Sequence, residues 1–412
     1  MKRIRYILIQ LSKKNKNFRI LLRKILYLKN SLKYSLYKYR KVDDKLILFE
    51  SFNGRNYSDS PKALYEYMLR SKKFKDYRFV WCFENPEDKK MFFHNSRTIL
   101  VKHKSNDYYK YFAISKYWIV NSLVLEFISK KKEQVYIQTW HGTPLKKLRY
   151  DIKLEGNVLN STDEIKSRND RDVKRIDYFL SPSRFATLAF TSAFNLNGLN
   201  KENIIIESGY PRNEALFKDN NILKIKESLG LPSDKKVILY APTFRDNQHT
   251  SGVGYTYKLG IDFKRLQSLF SDEYVILFRT HYFISNNFSF NEYKDFIYNV
   301  SGYDDVNDLY LISDILITDY SSVFFDYANL KRPMLFYMYD LDLYKNKLRD
   351  FYIDINELPG PIVENMDDLI SELKSINDYD INYRDKYDVF NKKYNYLDNK
   401  NASRNVIKGI FE

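Results

Sequence analysis

The sequence predicts an α/β protein of two doubly wound domains facing each other across a cleft, and three observations carry that reading. Twelve short apolar runs follow one another between residues 45 and 340, separated by polar, helix-like segments. Most runs are apolar at consecutive positions rather than alternating, which is the pattern of parallel strands covered by helices on both faces. A turn-rich, charged stretch at 216–235, LFKDNNILKIKESLGLPSDK, divides the runs into seven and five.

The elements justify themselves in order. Residues 1–41 hold 14 of the 68 Lys/Arg and no Asp or Glu, so the other 54 cations nearly balance the 52 carboxylates of the body. Within that segment Ile20, Leu21, Arg23, Lys24, Ile25 and Leu28 follow a roughly helical period. The apolar run Ile7–Leu11 is too short for a signal peptide and has no small-residue cleavage site after it. Nor does any stretch of about 18 uncharged apolar residues offer a membrane span. A basic segment interleaved with Leu and Ile suits an anionic membrane surface; a solvated basic helix or a nucleic-acid arm is the alternative.

The first seven runs are KLILFES (45–51), YRFVWCFE (77–84), TILVKH (98–103), KYWIVNS (116–122), EQVYIQTW (133–140), DYFLSPS (177–183) and NIIIESG (203–209). A short helix ending at Gly230, then Pro232, marks the boundary near 215–230. The second set is KKVILYAPTF (235–244), YVILFRTH (274–281), FIYNVSG (296–302), DILITDYSS (314–322) and RPMLFYMYD (332–340). After residue 378 the chain is polar, aromatic and helical. The expected division is therefore 1–41, a basic membrane-association segment; 42–215, an acceptor domain; 230–378, a donor domain; and 379–412, C-terminal helices.

Bulk composition excludes several classes. With 12 Gly and 10 Pro in 412 residues the chain is neither collagen-like nor disordered. Cys82 is the single cysteine, so there is no disulfide framework and no thiolate metal cluster. No Gly-x-x-x-x-Gly-Lys-Ser loop or Gly-x-Gly-x-x-Gly turn occurs. The acidic pairs Asp43/Asp44 and Asp304/Asp305 read as solvated loops, and neither a metal nor a cofactor is expected.

In an open α/β sheet, ligands sit at the C-terminal ends of the strands. Four polar clusters fall there: His141–Thr143, Thr243–Asp246, Arg279–His281 and Asp319–Ser322. Ser321 and Ser322 stand where a helix would start, so free N–H groups and hydroxyls could hold a phosphate; plain N-capping by Ser321 or Asp319 is the alternative. Arg279 suits bidentate contact with phosphate oxygens and His281 can donate to developing charge, both from what is expected to be the neighbouring strand. Thr243 and Arg245 end a third strand, where a salt bridge from Arg245 to Asp246 or Asp340 is the plainer option. Two of the five histidines, His141 and His281, follow predicted central strands, one in each half. Facing each other, one imidazole can accept a proton from an attacking hydroxyl while the other stabilises phosphate. Gly142 would let the backbone turn tightly and the substrate approach.

With these residues in view, the chain resembles the CDP-glycerol glycerophosphotransferase family, the teichoic acid primases and polymerases of Gram-positive envelopes and related capsule enzymes. The likeness covers roughly residues 45–375 and rests on QTWHGTPLKKL (138–148), SPS (181–183), GYPRNE (209–214), YAPTFRD (240–246), RTHY (279–282), SDILITDYSSVFFDYANLKRPMLFYMYD (313–340) and LPGPIV (358–363). The resemblance implies a GT-B-like pair of Rossmann-type domains and transfer of glycerol phosphate from CDP-glycerol to an acceptor hydroxyl, releasing CMP. It implies His141 as general base and His281, helped by Arg279, at the pyrophosphate. Ser321 and Ser322 would hold donor phosphates, and Thr243 and Arg245 would line the same cleft. Gly142, Thr143 and Asp319 complete the expected binding set. It also implies lipid-linked or polymeric acceptors, at the cytoplasmic face of the membrane. Two departures stand out: the large extra N-terminal region of some polymerases is lacking, and Asp350 in Arg-Asp-Phe-Tyr (349–352) replaces a frequent glycine.

CDP-ribitol is the rival donor, since nothing in these motifs reads polyol length. A nucleotide-sugar glycosyltransferase of the same architecture would release a nucleoside diphosphate instead of CMP. A non-catalytic nucleic-acid binder would show steep salt-dependent affinity, and it is not the expected partner class.

Overall fold

All twelve predicted runs are strands in the computed structural model, which describes residues 11, 15–152, 162–218, 222–243, 249–250, 254–255, 260–280, 290–342 and 350–412. The first sheet takes β1 (Asp43–Glu50), β2 (Arg78–Phe83), β3 (Thr98–Lys102), β4 (Ser115–Val120), β5 (Val135–Gln138), β6 (Tyr178–Ser181) and β7 (Ile205–Glu207). Its order is β3-β2-β1-β4-β5-β6-β7, and every pairing is parallel. A two-residue antiparallel pair, β9 (His249–Thr250) with β10 (Gly254–Tyr255), follows β8 (Lys236–Ala241) and was not anticipated.

The second sheet combines β8 with β11 (Tyr274–Phe278), β12 (Ile297–Asn299), β13 (Ile315–Thr318), β14 (Met334–Tyr337) and β15 (Ile362–Val363). Its parallel order is β12-β11-β8-β13-β14-β15, so the first six strands of both sheets share one winding. That winding reverses between β1 and β4 in one sheet and between β8 and β13 in the other. Such reversal points open the crevices in which doubly wound sheets bind ligands. One expectation is corrected here: β8 lies between β11 and β13, so Arg279 and Ser321 do not come from neighbouring strands.

Consecutive apolar residues pay both faces of the first sheet. Leu46 and Leu48 pack with Trp118, Tyr136 and Phe190 on one side. Ile47 and Phe49 pack with Trp81, Leu64 and Tyr65 on the other. The second sheet buries Val237, Ile238 and Leu239 together with Phe324, Phe325 and Phe390. From the helix Tyr379–Tyr394, seated on the second sheet, the chain passes to the helix Ala402–Phe411, whose Val406 and Ile407 join the core of the first.

Upstream, the helix Lys16–Lys38 is held by one face. Tyr34 is buried and its hydroxyl donates to the Ser129 carbonyl at 2.6 Å, Tyr27 meets Phe127 edge-on, and Arg23 pairs with Glu164 at 3.0 Å. On the opposite face Leu21, Ile25, Leu28, Leu32 and Leu36 form a stripe, each between 53 and 73% exposed. Among the described residues no helix is long and apolar enough to cross a membrane.

Candidate active site between the two sheets

β5 ends at Gln138, and the next three residues make a strained turn. Trp140 is in the left-handed region at φ +53, its N–H accepted by the Gln138 side chain at 3.0 Å. His141 then lies against the Trp140 indole, ring centroids 4.3 Å apart, with the Phe52 ring edge-on at 5.7 Å. Its Nδ1 is 2.6 Å from the Asn121 carbonyl oxygen. A carbonyl only accepts, so Nδ1 carries the proton, and the neutral ring keeps its lone pair on Nε2. Burial lowers the His141 pKa below the ordinary 6.5; the Asn121 bond and Asp59 oppose the shift without reversing it. The side chain is thus a neutral imidazole in a fixed tautomer.

Backbone strain gathers around this imidazole. Phe52, Asn53 and Gly54 at the end of β1 have φ of +48, +57 and +84, and Asp59 has +66. The three non-glycine residues cost on the order of 1–3 kcal/mol each and persist where surrounding contacts over-determine them, whereas Gly54 adopts its φ freely. Here the contact is explicit: the Phe52 N–H donates to the Asn121 side-chain oxygen at 2.7 Å. The second sheet repeats the device, since the Thr243 N–H donates to Asp319 Oδ1 at 2.8 Å. In each sheet, a side chain after the fourth strand ties down the backbone after the first and shapes the reversal point.

The two halves meet at Gly142. With φ +152, a Cβ there would stand 3.2 Å from the Ser322 hydroxyl and 3.6 Å from Arg212 Nη2. Ser322 precedes the short helix Val323–Tyr327 and makes no side-chain capping bond to it. Ser321 and Ser322 are both half-buried. Thr143 is buried beside Gly142, and Thr243 and Asp319 are buried at the ends of β8 and β13. The carboxylate of Asp319 is engaged by the Thr243 backbone rather than by the helix start. Arg279 serves the loop after β12: its Nη1 donates to the carbonyls of Val300 at 3.1 Å and Tyr303 at 2.9 Å. His281 and Arg245 lie outside the described residues. Among the described residues no group of three or more His, Cys, Asp or Glu is arranged to hold a metal ion.

The arginine of GYPRNE, Arg212, has no role that the sequence alone assigns. Arg212 is buried at the centre of the seam, donating to Asp59 Oδ2 at 3.0 Å, Asp326 Oδ2 at 2.6 Å and the His141 carbonyl at 3.0 Å. Burial works against its charge, but Asp326 and Asp59 more than offset that and raise its pKa. Asn213 extends the knot to Asp326 at 3.0 Å and Asp398 at 2.6 Å. Arg212 therefore joins both sheets and holds the backbone of the proposed base. Past the glycine, Leu145 enters the core of the second sheet. Lys147 N–H donates to the Asp350 carbonyl, and Tyr352 N–H to that of Leu145, each at 2.8 Å. Asp350, where the family pattern often has glycine, thus takes part in an antiparallel bridge at Lys146 and Phe351.

Residues 32–412 match the family model for CDP-glycerol:poly(glycerophosphate) glycerophosphotransferase. The chain is 44% identical to the teichoic acid poly(glycerol phosphate) polymerase of Staphylococcus epidermidis over 89% of its own length, spanning 50% of that protein. It is 39% identical to the teichoic acid glycerol-phosphate transferase of Staphylococcus aureus, covering 93% of this chain and 99% of the relative. The solved structure of the wall teichoic acid polymerase TagF superposes with a TM-score of 0.84 at 41% identity, over 97% of both chains. A poly(ribitol-phosphate) polymerase of Bacillus spizizenii is more distant, at 31% identity over 83% of this chain.

Proposed function

The chain belongs to the CDP-glycerol:poly(glycerophosphate) glycerophosphotransferase family, and we propose that it transfers glycerol phosphate from CDP-glycerol to a hydroxyl of a membrane-linked acceptor in teichoic acid synthesis. The observation that carries this reading is the fixed tautomer of His141, a neutral base with Nε2 free, at the seam where Gly142 meets Ser322. The acceptor hydroxyl gives its proton to Nε2 as its oxygen attacks the phosphorus bearing glycerol. The bond from that phosphorus to the bridging oxygen of the diphosphate breaks, and CMP leaves with the electron pair. Ser321 and Ser322 would donate to the donor phosphates from the second sheet, with Thr243 at the neighbouring strand end. His281 would stabilise the pyrophosphate and Arg245 would line the same cleft, with Arg279 a helper only through the N–H groups that Val300 and Tyr303 leave it. Positioning and charge neutralisation supply most of the rate in such a transfer.

The two facing doubly wound sheets support a GT-B-like arrangement, with the acceptor on the first sheet and the donor on the second. The helix Lys16–Lys38 supports peripheral attachment to an anionic membrane on the cytoplasmic side, because its Leu/Ile stripe faces away from the body and is flanked by cations. CDP-ribitol is the second donor to be weighed. Incubating the purified protein with CDP-glycerol or CDP-ribitol and a lipid-linked acceptor tests the whole reading: CMP and an acceptor extended by glycerol phosphate are expected. Release of a nucleoside diphosphate, or extension by ribitol phosphate alone, would overturn it.

A further inference from the structure

Arg149 is a half-buried cation that makes no ion pair among the described residues. It opens the turn Arg149–Asp151 after the His141 loop, with φ +43. Its guanidinium lies over two aromatic rings, 5.0 Å from the Phe194 centroid and 5.7 Å from that of Trp140. Among the described residues nothing accepts a hydrogen bond from it, and its Nε is closed off from solvent with no partner. Nearby carboxylates accept their hydrogen bonds elsewhere, Asp172 from Arg175 and the Tyr136 hydroxyl and Asp151 from the hydroxyls of Ser192 and Tyr352, so Asp172 offsets the Arg149 charge only through its field.

Other enclosed arginines show the ordinary solution. Arg97 donates to the carbonyls of Phe74 and Leu69, and Arg332 to those of Leu311 and Ser313, at 2.6 to 2.8 Å. Aromatic faces stabilise a guanidinium but leave its in-plane N–H groups without acceptors. A phosphate supplies those acceptors in the matching two-pronged geometry.

We infer that Arg149 binds a phosphate of the acceptor, a phosphomonoester or phosphodiester adjoining the hydroxyl that His141 deprotonates. The inference rests on the phosphotransfer reading of the site. The acceptor rather than the donor is assigned because Arg149 and His141 contact the same indole on the first sheet, whereas the donor serines belong to the second. Burial draws the Arg149 pKa down to about 10, so it is still a cation at neutral pH. Its charge also helps lower the His141 pKa. A phosphate seated on Arg149 cancels that effect and makes His141 a stronger base once the acceptor is in place.

Calorimetry on the full chain tests this, with CDP filling the donor site and sn-glycerol 3-phosphate or uncharged glycerol as probe. The native protein should bind glycerol 3-phosphate and not glycerol. Arg149→Gln should bind it at least tenfold more weakly and Arg149→Lys to an intermediate degree, with CDP affinity unchanged in both. Equal affinity in Arg149→Gln, no binding by the native protein, or a parallel loss of CDP affinity overturns the assignment. Should Arg149→Gln fail to fold, Arg149→Lys decides, since native-like affinity for both probes in that variant refutes a guanidinium-specific site. Failure of the native protein to release CMP from CDP-glycerol would instead sink the transferase reading, and the calorimetry would still decide the role of Arg149.

Discussion

The Ser322 hydroxyl lies 3.2 Å from the point where a Cβ on Gly142 would stand, so the loop of the first sheet and the helix start of the second touch with no side chain between them. Gly142→Ala places a methyl group there and forces an L residue to φ +152. At least a tenfold fall in kcat/KM is expected. Near-native kcat/KM in Gly142→Ala would show that neither the close approach to Ser322 nor the backbone conformation matters.

Removing the imidazole removes the proposed base. His141→Ala should lower turnover by at least roughly a hundredfold while CDP-glycerol affinity stays largely intact. Single-turnover kinetics with a calorimetric titration separates the two, and near-normal turnover would remove the assignment.

The acid limb of kcat/KM should fall below pH 6.5, because burial lowers the His141 pKa and the base stays unprotonated further into acid. The same shift makes a stability statement. The unfolded chain binds this proton more tightly, so the contribution is full above pH 6.5 and is lost as pH falls from there through the folded value. His141→Gln should flatten that part of the stability profile, and an unchanged slope would contradict the shift.

Ser322→Ala should weaken nucleotide binding by about 1.5–3 kcal/mol, the worth of a hydrogen bond to a charged group. Unchanged CDP affinity by calorimetry would remove Ser322 from the phosphate site.

Arg212→Ala leaves Asp59 and Asp326 buried and unpaired, and should destabilise the fold by about 3–5 kcal/mol. Denaturant titration measures this directly. Arg212→Lys keeps the charge but reaches fewer of the three acceptors, so an intermediate loss is expected.

Leu28→Glu with Leu32→Glu puts carboxylates on the outward stripe of the first helix, at positions 60 and 69% exposed. Sedimentation with anionic vesicles should drop to background while thermal stability is unchanged. Retained vesicle binding would move the membrane contact elsewhere.

The strands were legible because parallel strands covered on both faces read as unbroken apolar runs, from KLILFES to RPMLFYMYD. β15 was not, since Ile362 and Val363 are too short to form a run. The place of His141 after a central strand was legible because a lone imidazole there is conspicuous. Asn121 could not, because what it gives His141 is a backbone carbonyl that any residue would supply. Arg212 lay in a quoted motif, yet its meaning depends on Asp59 and Asp326, each more than a hundred residues away. The placement of Arg279 failed on strand order, which apolar patterning alone does not reveal.

The last helix has a practical consequence. Phe411 packs on Phe74 and Tyr117, and Val406 and Ile407 are interior residues of the sheet with which the body of the chain begins. Neither half is a self-contained piece: a fragment stopping near residue 215 would expose the floor on which that helix rests. Dissection by cloning or limited proteolysis should therefore yield insoluble halves. Any relative movement of the two sheets must bend two crossings of the chain at once, which favours a short-stroke hinge over wide separation.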